Sequence, residues 1–111
     1  MSKCSFDGIG AVVATFLADE GVKGGQVVKL TGNGQVGPCG DSDKFCGVAL
    51  EPRAGIAGVQ VKGFVTVSGT GLSLGAAILV ADGKGGVKTA AEGVSATVIS
   101  VNEDGSAVIC L

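Results

Sequence analysis

Apolar and polar residues alternate along much of this chain, and turn residues punctuate the alternation at short intervals. The clearest run is Val59–Val67 (VQVKGFVTV). Val59, Val61, Val65 and Val67 are apolar there, Gln60, Lys62 and Thr66 lie between them, and Gly63 falls on the valine face. A period of two is the mark of a half-buried strand, and a glycine inside it marks a bulge or a close approach of two backbones. Gln26–Thr31 (QVVKLT) predicts a second strand, which turns at Gly32-Asn33-Gly34 and returns through Gln35-Val36. Asn-Gly is a strong hairpin signal, because both residues tolerate positive φ. Ala77–Ala81 (AILVA) repeats the design, turning at Asp82-Gly83 and returning through Gly86–Thr89. Phe45–Glu51, Ser95–Val101 and Ser106–Leu111 predict further strands, the last two joined by the turn 102–105. Ala11–Phe16 is compatible with strand or short helix, and its β-branched residues and nearby glycines favour strand.

The two hairpins are parts of an internal repeat. Residues 25–36 (GQVVKLTGNGQV) align with residues 75–87 (GAAILVADGKGGV), the second copy being one residue longer. Each hairpin is followed by an apolar run, a loop and another strand, giving units of about 25–62 and 75–109. Two such units can close into a barrel or sandwich, which removes or covers sheet edges. The expected architecture is therefore one all-β domain over residues 20–111, a compact barrel or sandwich of short antiparallel strands, with residues 1–19 as an N-terminal arm or edge strand.

Composition agrees with short strands. The chain has 111 residues, enough for one domain, and its 21 glycines argue against long helices. Valine is the commonest apolar residue, and it packs well on a pleated surface. The apolar stretch 8–18 follows Lys3, but Asp7 precedes it and no small-x-small cleavage site follows, so it does not look like a secretion signal. Residues 63–81 lack charge but carry four glycines among Ser and Thr, which suits strand and loop rather than a membrane helix.

Charge and side-chain chemistry narrow the function. The net charge is −2 with no basic stripe, which speaks against phosphate-mediated binding of nucleic acid. The segment 32–37 (GNGQVG) fits the G-x-G-x-x-G spacing, but Pro38-Cys39-Gly40 follows where a dinucleotide site needs a helix. Histidine is absent, which removes the commonest general base and the usual activator of a cysteine. Cys4, Cys39, Cys46 and Cys110 contain no C-x-x-C, so a zinc site would have to gather thiols from distant places; idle thiols are the favoured reading. Asp41 and Asp43 flank Ser42 in a Gly/Pro-rich loop and suit a polar turn better than a calcium site. The expectation is a non-enzymatic protein without metal or cofactor that works by contact. The candidate contact residues are Phe6, Ile9, Val12, Val13 and Phe16 in the N-terminal stretch, and Leu72 and Leu74 in the loop 68–74.

The ordered set of motifs carries a resemblance. Residues 21–30 (GVKGGQVVKL), 43–51 (DKFCGVALE) and 59–67 (VQVKGFVTV), then the hairpin 75–88 and the closing strand 107–111, resemble a family of small phage structural proteins of the capsid-decoration type. The match covers roughly residues 20–111. The resemblance implies a β-rich fold and a homotrimer that sits on the outer surface of a phage head, bound to the major capsid protein, after synthesis in the host cytoplasm. It brings no catalytic residue, and the four cysteines depart from its pattern. Another virion role, such as a head fibre base, tail or baseplate component, remains an alternative, and a small-ligand-binding β-barrel ranks below it because four Phe are the only aromatic residues.

Overall fold

The alternating segments form ten strands in a computed structural model that describes residues 10–69 and 71–111. In chain order they are β1 (Val12–Ala18), β2 (Val27–Gly32), β3 (Gln35–Pro38), β4 (Gly47–Ala49), β5 (Ile56–Lys62), β6 (Phe64–Ser68), β7 (Gly75–Ala81), β8 (Val87–Thr89), β9 (Val94–Val101) and β10 (Ser106–Cys110). The protein is all-β, with no helix among the described residues. Both hairpins form where the turn residues predict them, as antiparallel β2–β3 and β7–β8. Their turns differ from a simple two-residue connection. At the first, only Gly34 takes a positive φ, of 64°, and the register shifts between Leu30 and Gly32, so the ribbon turns through a bulge. At the second, the Asp82 carboxylate accepts bonds from the backbone N–H groups of Lys84 and Gly86, which folds the longer loop on itself.

The strands build two units of one topology. The first is a closed barrel in the order β1-β3-β2-β4-β5, with β1 antiparallel to β5 and parallel to β3. The second is a five-stranded sheet in the order β6-β10-β9-β7-β8. Replacing β1–β5 by β6–β10 in turn reproduces the same neighbours. Even the closing contact recurs, because Gly69 bridges Val87 in parallel where the first barrel pairs Ala18 with Val36. The repeat is thus a five-stranded unit, longer at its start than the sequence spacing predicts.

Two expectations are corrected here. Residues 12–18 are neither an arm nor an edge strand, since β1 is bonded on both sides and closes the first barrel. The run Val59–Val67 is two strands belonging to different units. They meet at Gly63, whose φ is +96° and where a Cβ would lie 2.5 Å from the Gly10 carbonyl oxygen. No side chain fits that approach, so the chain breaks its alternation there and starts the second unit.

The cores explain why the units hold together. Val28, Val36, Ala49, Ala57, Val59 and Val22 fill the first barrel. Val27 and Val48, Cα partners on the other face of β2 and β4, join Phe45 in the core of the second unit beside Leu79, Val98 and Ile109. Successive side chains on a strand face opposite ways, so β2 and β4 serve one core with each face. The segment between β3 and β4 crosses over as well. Ser42 N–H donates to the Ala81 carbonyl at 2.8 Å, and Ala81 N–H donates to Asp43 at 2.9 Å. At the joint, Gln60 is 7% exposed and donates its amide to the carbonyls of Lys62 and Phe64, on either side of Gly63.

Candidate interaction surface

The contact residues predicted from sequence separate into three groups. Val12 and Val13 on β1 and Leu74 after β6 are exposed, Leu74 the most at 68%. Phe16 is half-buried and packs on the first core, because Ala14, Phe16 and Ala18 share the inner face of β1. Leu72 is core, 8% exposed among Val67, Val87 and Ile109, and so is not available to a partner. Its side chain folds back over Gly69, where a Cβ would lie 2.6 Å from Leu72 Cδ1, and covers the seam between β6 and β8. Phe6 and Ile9 lie outside the described residues.

Pairing of β1 with β5 gathers a surface that sequence reasoning found only in part. Val13, Thr15 and Leu17 face outward from β1. Leu17, 57% exposed, is the Cα partner of Ile56, 46% exposed, and Thr15 is the partner of Gly58. Leu50 reaches over from the end of β4, its N–H bonded to the Gly58 carbonyl at 2.8 Å. Gly58 forms a notch beneath Val13 and Leu50, since a Cβ there would sit 3.2 Å from Val13 Cγ1 and 3.3 Å from Leu50 Cδ1. The result is a strip of four large apolar side chains, Val13, Leu17, Leu50 and Ile56, across one face of the first barrel. Exposed Arg53, bridged to Ile56, and Lys62 at the far end of β5 bracket it. Neither cation belongs to an ion pair among the described residues. Leu17 and Leu50 had a signal in the sequence, namely the phase of β1 and the residue after Gly-Val-Ala, whereas Ile56 had none, and only the β1–β5 pairing brings the three together.

Elsewhere, two ion pairs hold the segment between β3 and β4. Lys29 Nζ lies 2.7 Å from Asp43, and Lys88 Nζ lies 2.6 Å from Asp41, so the crossing segment is held to the first unit through Asp43 and to the second through Asp41. The Lys29 ammonium and the Gly40 N–H hold the Asp43 carboxyl below its ordinary value, and Asp43 in turn raises Lys29. Burial is the main cause that pushes the Cys39 thiol up to about 11, with Asp43 adding to it, and burial raises Cys46 too. A thiol so raised is a poor nucleophile at neutral pH. An open groove of about 590 Å³ runs along the second unit, lined by Ala76, Ile78, Ser95, Thr97 and Cys110 among others, all uncharged. Neither a family model nor a curated protein matches the chain.

Proposed function

We propose that this chain is a phage virion structural protein, a decoration protein that binds the outer surface of the head and stabilises the shell. In this reading its partners are the major capsid protein and further copies of itself, grouped as trimers, and it acts by contact rather than by catalysis. The observation that carries the reading is the apolar strip of Val13, Leu17, Leu50 and Ile56 on a barrel whose own core is already filled. Exposed apolar residues scattered singly are ordinary, whereas a contiguous set marks a surface that meets another molecule. The ordered strand motifs that resemble capsid-decoration proteins support the same role.

The physical case is one of many modest contacts. A rigid barrel face built from Val, Leu, Ile and Gly loses little side-chain entropy when it is covered. A specific contact needs roughly 800 Å² per partner, and a shell that repeats the same site many times multiplies a weak one. The test uses heads of the phage that encodes the chain. Electron cryo-microscopy is expected to show the barrels outside the shell, and stripped heads should regain resistance to heat when the purified protein is added back. Virions that lack the chain, or heads that neither bind it nor gain resistance, overturn the reading.

A further inference from the structure

We infer that the apolar strip of the first barrel docks against the β9–β10 turn of a second copy, so that copies of this chain join head to tail. The inference rests on the self-association in the proposed function and names the two faces that make it. Its first ground is a comparison the protein makes within itself. The pair Leu17–Ile56 in the first unit corresponds to the pair Ser68–Ser106 in the second, each joining the first and last strands of its unit at the same end. The topology therefore holds with two serines at that place. The two large apolar residues in the first unit are not required by the fold, and a partner explains their exposure.

The second ground is charge. Arg53 and Lys62 bracket the strip and lack ion-pair partners among the described residues. The turn between β9 and β10 offers the complement. Val101 is exposed there, followed by exposed Glu103 and Asp104, also outside any ion pair among the described residues. The turn is held in shape, because Asp104 accepts bonds from the Ser106 N–H at 3.0 Å and the Ser106 hydroxyl at 2.6 Å. An apolar strip between cations thus faces an apolar tip beside carboxylates, the arrangement that steers and aligns two surfaces.

The third ground is position. The strip lies at the Ile56 end of β5, and the path runs on through Gly63 into β6, whose far end meets the turn through a 2.9 Å bond from Gly69 N–H to the Gly105 carbonyl. Strip and turn belong to different units, and no backbone bond or bridge joins them among the described residues, which leaves the strip open to the turn of another copy. A contact between two different faces is heterologous, and it closes into a ring when the rotation allows. Four half-exposed side chains fall short of a standard interface, so one contact alone is weak and ring closure strengthens it.

Sedimentation velocity and light scattering of the purified full chain test this over a range of concentration and salt. The expected species has three times the monomer mass and dissociates as ionic strength rises from about 0.05 M to about 0.5 M. Leu17→Ser with Ile56→Ser, which copies the second unit, should weaken association at least roughly tenfold with the circular dichroism and melting temperature kept. Glu103→Lys should weaken it as well, and adding Arg53→Glu to that variant should restore it. A chain that stays monomeric at every concentration, or an oligomer indifferent to Glu103→Lys and to salt, overturns the inference. A monomer that still binds phage heads sinks the head-to-tail contact alone, and a ring that fails to bind heads sinks the head-binding role alone.

Discussion

At the level of single residues, glycine and cysteine tell most about how this protein is made. Gly47 begins β4 against its antiparallel neighbour β5, and a Cβ there would lie 2.5 Å from the Gln60 carbonyl oxygen and 2.7 Å from Val59 Cγ1. Neither neighbour is the free end of a flexible side chain. Gly47→Ala is expected to cost about 1–3 kcal/mol in denaturant unfolding, with the midpoint falling and the slope unchanged. Cys39 makes a second prediction. Its thiol is raised from 9.0 to about 11, chiefly by burial. The fold therefore favours the neutral thiol, and this contribution is present below pH 9 and lost as pH rises through about 11. Melting temperature should fall over that window, and Cys39→Ala should flatten the fall. Alkylation of Cys39 at neutral pH should be far slower than that of a free thiol; labelling at the free rate would show that the burial is wrong.

At the level of elements, the joint and the crossing segment do what no strand does alone. Gln60 bonds the two carbonyls that flank Gly63, so Gln60→Ala removes both bonds from the joint and should cost about 1–3 kcal/mol, while an unchanged stability would show water doing the same work. The crossing segment depends on pH through Asp43, whose carboxyl is lowered first by its bond from Lys29. That support is present above the ordinary value of 3.8 and is lost as pH falls through the lower folded one. Protection of the Ser42 and Ala81 amides, taken against their intrinsic exchange rates at the same pH, should fall below that range before the barrel interior responds. The hairpins were legible from Asn33-Gly34 and Asp82-Gly83, because local turn chemistry needs no tertiary information. The fate of residues 12–18 was not. A strand's pairing partners lie far away in sequence, and nothing local says whether β1 ends as an arm or as a closing stave.

At the level of the whole molecule, the two units share residues as well as topology. Val27 and Val48 belong to strands of the first barrel and to the core of the second unit. The expected consequence is a single cooperative transition rather than two. Val48→Ala should lower the melting temperature with near-ultraviolet probes and hydrogen exchange of both units moving together; a calorimetric trace that splits in two would show independent units. What the amino-acid sequence determined by itself was local: the all-β class, the turns, and a repeat legible over its hairpins and later strands, all set by side-chain period and glycine placement. The tertiary structure decided which strand closes each unit, that Leu72 is core while Leu17 and Ile56 are surface, and that the valines of β2 and β4 divide between two cores. The reason is physical: an apolar residue at a strand position can face its own barrel, a neighbouring core or solvent, and only long-range pairing settles which.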